Sequence, residues 1–197
     1  MLKQINNYFE TLKNCIDKMD KKEIDTFIKL LIQARDEERN IFIMGNGGSS
    51  STASHFSCDF NKGCSYNQEK KFKVICLNDN TATMLAYAND ISYESIFVEQ
   101  LKNFLKEGDI VIGLSGSGNS KNVLNAIEYA NTRKAITIGL TGYNGGRLKE
   151  IASYSVNTNI NDMQISEDIH MMVCHMAYSI LMNGFASNND VRKLLSV

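Results

Sequence analysis

Two short stretches of this chain mix glycine with small hydroxyl residues: Gly45-Asn46-Gly47-Gly48-Ser49-Ser50-Ser51 and Ser115-Gly116-Ser117-Gly118-Asn119-Ser120. Glycine lets a backbone approach a ligand closely and reach positive φ. A helix starting just beyond such a turn offers free N–H groups and the positive end of its dipole. Serine hydroxyls add donors that rotate to suit an anion. Together these features suit a phosphate. Either stretch alone also reads as a tight strand-to-helix turn that needs small residues; two of them favour the phosphate. Neither is a nucleotide P-loop, because no Gly-Lys-Ser/Thr follows. Neither fits the dinucleotide pattern G-x-G-x-x-G with an acidic residue about 20 positions on. A third stretch, Thr141-Gly142-Tyr143-Asn144-Gly145-Gly146, reads as a turn and a helix start.

The chain has three histidines, His55, His170 and His175. His55 follows the first loop on a predicted helix, with Asp59 four residues on. Positions i and i+4 share a helix face, so both side chains can converge on one point. A late predicted helix carries Glu167, Asp168, His170 and His175. At about 100° per residue, His175 lies roughly 80° from Glu167 and roughly 140° from His170, so the two histidines face different sides. Ile169, Met172, Val173 and Met176 make that helix apolar, and a buried histidine there reads first as a core residue. Carboxylates on so apolar a helix need partners. Glu167 and His175 are also separated by about 12 Å of helix rise. Sharing one ion would take stretched side chains, an irregular helix, or ligands from different subunits.

These residues need a scaffold. Short apolar runs at 41–44, 72–77, 110–114 and 135–140, and a weaker one at 154–158, alternate with helical segments. Four of the five are nearly continuous in hydrophobicity, as strands buried on both faces should be. The pattern is α/β: a five-stranded parallel sheet flanked by helices. Ligands bind at the carboxyl ends of such strands, where both glycine-serine loops fall. Upstream, Leu2, Ile5, Phe9, Leu12, Ile16 and Met19 are spaced 3, 4, 3, 4, 3, a heptad seam on a helix over 2–19. A second helix is expected over about 22–38. Residues 1–38 thus read as a helical arm on a single domain spanning 1–197, suited to an oligomer contact. A long helix is expected over about 163–183.

Composition bounds the partners. The chain has 197 residues, 43% hydrophobic and 22% charged, with 21 Lys and Arg against 22 Asp and Glu. Without a basic excess, no nucleic-acid groove is expected. No apolar run approaches the roughly 20 residues of a membrane span, and the polar N-terminus is not a signal peptide. A cytoplasmic protein is expected. Cys15, Cys58, Cys64, Cys76 and Cys174 form no C-x-x-C pair and read as reduced thiols. Proline is absent.

The stretch 115–120 with Asn122-Val123 resembles the phosphosugar-binding signature S-x-S-G-x-S/T of sugar isomerase (SIS) domains, whose fold is flavodoxin-like. Within that superfamily, the first loop followed by His55-Phe56 resembles the phosphoheptose isomerases. So do Asn89-Asp90, Gly139-Leu140-Thr141-Gly142, Ile169-His170 and His175. The resemblance implies an isomerase converting sedoheptulose 7-phosphate to D-glycero-D-manno-heptose 7-phosphate, a step towards activated heptose for lipopolysaccharide or capsule. It also implies a tetramer with sites at subunit interfaces, and in some members zinc. By position it makes Asp59 and His175 the acid/base pair, with Glu167 a rival base. It makes His55, Asp59, Glu167 and His175 the metal ligands. Asn46, Gly47, Ser49, Asn89, Asp90, Ser115, Gly116, Ser117 and Ser120, with the Gly118 backbone, become the substrate-binding set. Lys62 stands one position out of register with a family cation. The chain departs from the family at Asp59, where relatives carry Glu, and at Glu167, where they carry Gln. A different phosphosugar, or a binding module that senses phosphosugars or docks a protein, are the alternatives.

Overall fold

The computed structural model describes residues 1–186. Five strands form one parallel sheet: β1 (Asn40–Gly45), β2 (Lys73–Cys76), β3 (Ile110–Ser115), β4 (Ile136–Thr141) and β5 (Tyr154–Asn157), in the order β2-β1-β3-β4-β5. That is the doubly wound, flavodoxin-like order, whose topological switch point lies between β1 and β3. The registers Ile41↔Ile110 and Ile110↔Ile136 bring the ends of β1, β3 and β4 level.

Helices cover both faces. Side chains alternate along a strand, so Ile41 and Ile43 point one way and Phe42 and Met44 the other, and all are buried. The first set packs with α2 (Lys21–Asp36), α3 (Gly48–Cys58) and α8 (Met163–Ala186). The second packs with α5 (Val98–Phe104), α6 (Lys121–Thr132) and α7 (Gly146–Ile151). Gly113 on β3 lets α6 close in, since a Cβ there would meet Val123. α4 (Thr81–Asp90), which follows β2, buries none of its side chains.

Two expectations need correcting. The run 72–77 is not buried on both faces. β2 alternates buried and exposed residues because it is the sheet edge, with Lys73 and Ile75 facing out. The two-helix arm is also one helix. α2 buries Phe27, Leu31 and Ile32 in the core, so that only the first half of α1 (Leu2–Lys18) stands out from it. Along the α1 seam, Leu12, Ile16 and Met19 pack on the core, whereas Leu2 and Phe9 are 78% and 57% exposed. Tyr8 ties α1 to α8 by donating its hydroxyl proton to Asp168 Oδ2 at 2.6 Å. That bond to a carboxylate pushes the phenol up to about 12.

Candidate active site

β1 ends in the first glycine-serine loop. Gly47 takes φ 54° and ψ −123°, a backbone conformation that favours glycine, immediately before α3. Asn78, beyond β2, braces this loop: its Oδ1 accepts from Gly45 N at 3.1 Å and its Nδ2 donates to Gly45 O at 2.9 Å. β3 ends in the second loop, which turns through Gly118 at φ 66° and starts α6 after Ser120. Ser115 and Ser120 hydroxyls meet across it at 3.1 Å. The third loop buttresses the second. Gly142 N–H donates to Gly116 O at 2.9 Å, and Leu148 N–H donates to Gly118 O at 2.9 Å. It is a support, as its turn-like sequence suggested.

The first two loops face each other across the switch point. Asn46, Gly47, Gly48, Ser49, Ser115, Gly116, Ser117 and Ser120 line one open crevice with Leu114, Met163 and Glu167. The start of α3 and the start of α6 both point at it, so it concentrates N–H donors and hydroxyls where an anion would sit. Glu167 is the sole titratable side chain in that lining. Its carboxylate lies against Gly48, so close that a Cβ on Gly48 would collide with it.

A second cluster forms at the other end of α3. One turn of π-helix, Asp59–Gly63, continues α3 and carries Asp59 at its start. Asp59 Oδ2 lies 3.5 Å from His55 Nε2 and 3.9 Å from His175 Nε2. The two imidazole Nε2 atoms are 3.5 Å apart, and the rings meet edge to face with centroids 4.9 Å apart. One donor atom from each of the three residues lies within 4.8 Å of the others. Two imidazoles and a carboxylate around one point suit a zinc ion with a fourth position open to water or substrate. Glu167 does not belong to this cluster among the described residues. Of the four residues that the resemblance implies as ligands, three come together here, while the Glu167 carboxylate lies against Gly48, two helical turns along α8 from His175.

The other expected residues divide. His170 is on the opposite side of α8 from His175, buried and neutral, its imidazole pushed down to about 4 by desolvation. Asn89 and Asp90 end α4, exposed and outside the crevice lining, with Asn89 Nδ2 donating to Asp90 Oδ1 at 2.8 Å. Lys62 is exposed on the π-turn. Sequence reasoning missed Tyr93 and the bonding of Asn122. Tyr93 donates its hydroxyl proton to Asn46 Oδ1 at 2.8 Å, and Asn122 exchanges amide hydrogen bonds with Asn46 at 2.9 and 2.8 Å. No spacing rule links residues 47 and 76 positions apart.

Residues 6–142 match the family model of the SIS domain. The phosphoheptose isomerase of Helicobacter pylori is 32% identical over 181 residues, 91% of this chain and 93% of that protein. That of Geobacter metallireducens is 29% identical over 93% of this chain and 96% of its own length. The structure of a phosphoheptose isomerase from Francisella tularensis superimposes with a TM-score of 0.83 at 25% identity, covering 92% of this chain and 98% of that one. With that match of sequence along nearly its whole length, and the two-loop crevice beside a His/Asp/His cluster, the chain belongs to the phosphoheptose isomerase family of SIS-domain proteins.

Proposed function

We propose that this protein isomerises a seven-carbon sugar phosphate, sedoheptulose 7-phosphate, to D-glycero-D-manno-heptose 7-phosphate. The observation that carries the reading is the crevice at the β1/β3 switch point, with its two glycine-serine loops and the neighbouring cluster of His55, Asp59 and His175. The phosphate is held by Ser115, Ser117 and Ser120 with the N–H groups at the start of α6. That anchor leaves the sugar chain to be positioned by the rest of the site.

The chemistry is a proton transfer between C1 and C2. Asp59 takes the proton from C1 as His175 gives one to the C2 carbonyl oxygen, forming the enediol. Asp59 then returns its proton to C2 while His175 takes the O1 proton, leaving the aldose. Imidazole suits this because its ring nitrogens can both donate and accept a proton. His55, Asp59 and His175 would hold zinc, which when bound supplies positive charge to stabilise the developing oxyanion. A second reading gives the carbon-bound proton to Glu167, because it is the titratable side chain inside the crevice. Asn89 and Asp90 serve the sugar only if α4 moves in or another subunit supplies them.

We further propose a homotetramer. The exposed apolar side chains Leu2, Ile5 and Phe9 on the first half of α1, and Met172, Met176 and Ile180 along α8, support a cover by further copies. No described helix is long and apolar enough to cross a membrane. A cytoplasmic enzyme supplying activated heptose for lipopolysaccharide or capsule fits this reading. The test is turnover of sedoheptulose 7-phosphate beside a panel of pentulose and hexulose phosphates. Preference for the seven-carbon ketose supports the proposal; turnover confined to a shorter sugar transfers the site to another phosphosugar.

A further inference from the structure

We infer that Tyr93 and Asn122 are positioning residues that hold the Asn46 carboxamide as a hydrogen-bond donor to the sugar chain. The inference rests on the phosphosugar reading of the crevice. Asn46 stands on the first loop, in the crevice wall. Its Oδ1 accepts two hydrogen bonds, from Tyr93 OH at 2.8 Å and from Asn122 Nδ2 at 2.8 Å. Its Nδ2 donates one hydrogen to Asn122 Oδ1 at 2.9 Å. Asn122 is itself fixed: it is buried, and its Oδ1 also accepts from Val123 N at 2.9 Å.

The inventory of a carboxamide makes the consequence definite. It has an oxygen with two lone pairs and a nitrogen with two hydrogens. Both lone pairs of Asn46 are taken and one hydrogen is taken. The second hydrogen has no protein partner among the described residues. Asn46 can therefore offer this crevice a donor and no acceptor. The reciprocal Asn46–Asn122 pair would look the same to itself if both amides turned over, but the Val123 N–H can only donate, so it fixes Asn122 Oδ1 as an acceptor and with it the orientation of Asn46. The Tyr93 hydroxyl, placed by the short turn Tyr93–Ser95 that follows α4, then donates to the remaining lone pair of Asn46 Oδ1 and locks the carboxamide in that orientation. The clasp also joins the first loop to the start of α6, and so sets the spacing of the two loops. Its natural ligand atom is a hydroxyl or carbonyl oxygen of the sugar chain, the phosphate being held by the second loop.

Tyr93→Phe tests this with little risk to folding, because the ring is exposed. The probes are inorganic phosphate and sorbitol 6-phosphate, an open-chain polyol phosphate, with binding followed by calorimetry. The variant should bind sorbitol 6-phosphate roughly threefold to tenfold more weakly, the size expected for one neutral hydrogen bond. Its affinity for inorganic phosphate should stay within about twofold, since that ligand reaches the second loop alone. With sedoheptulose 7-phosphate, KM should rise by the same factor and kcat should hold. Asn46→Asp, which loses the donor, should weaken sorbitol 6-phosphate further. Unchanged binding of sorbitol 6-phosphate by Tyr93→Phe, equal weakening of both ligands, or a parent protein that does not distinguish them would overturn the inference. A parent protein that prefers the polyol phosphate but does not turn over the ketose would overturn the isomerase reading and leave the clasp standing.

Discussion

The Glu167 carboxylate of α8 rests against Gly48 at the first turn of α3, while His175, further along α8, turns to Asp59. One helix thus serves two places: the crevice between the loops and the His/Asp/His cluster. Gly48 is what makes room for the first. The atom a Cβ would strike is the far end of a flexible side chain, so Gly48→Ala should displace Glu167 rather than unfold the protein. Alanine is also the better helix former by roughly 1 kcal/mol. Thermal unfolding of the variant should stay within about 5 °C of the parent, a shift that corresponds to roughly 1–2 kcal/mol in a domain of this size. Its kcat/KM should fall roughly tenfold or more, a loss of about 1.4 kcal/mol in transition-state stabilisation. Parental turnover in Gly48→Ala would show that the Glu167 position does not matter to the site.

The cluster geometry separates the metal ligands. Zinc titrations should show one ion per chain bound through His55, Asp59 and His175. His55→Ala and His175→Ala should each weaken zinc by roughly 100-fold, as loss of one of few ligands does. Glu167→Ala should change it by less than about threefold. A Glu167 effect equal to that of His175 would restore a four-ligand site, reached by a different side-chain rotamer.

His170 ties stability to pH. Its folded-state value, about 4, lies below the ordinary 6.5, so the unfolded chain takes up the proton first as pH falls. Its contribution is present above about pH 6.5 and is lost towards pH 4. A shift of that size corresponds to about 3 kcal/mol. Urea unfolding of the parent and of His170→Phe at pH 7 and pH 4.5 measures it. The pH-dependent loss should be smaller in the variant by about 2–3 kcal/mol. Equal losses would mean that the imidazole gains solvent or a partner in solution.

The outward half of α1 is the region for assembly. Leu2, Ile5 and Phe9 are exposed, whereas Leu12 and Ile16 pack on the core. Ile5→Glu with Phe9→Glu should break a tetramer into smaller species in sedimentation analysis, with the protomer still folded. A tetramer that persists would move the interface to α4 or α8.

Much of this was legible in the sequence. The strands announce themselves as apolar runs because both faces of a central parallel strand are covered. The pairing of His55 with Asp59 follows from helix periodicity, and so does the parting of His170 from His175. The edge character of β2 was not legible, since an apolar run does not state its place in the sheet. Nor was the turn of Glu167 to Gly48, a rotamer choice set by the absence of a side chain on another helix. The Tyr93–Asn46–Asn122 clasp joins three segments that only the folded topology brings together.

The most direct measurement is turnover of sedoheptulose 7-phosphate by the purified protein, before and after chelation and again with zinc restored. The account predicts conversion to the heptose 7-phosphate, a fall on chelation and recovery with zinc. Absence of conversion with zinc present would contradict it.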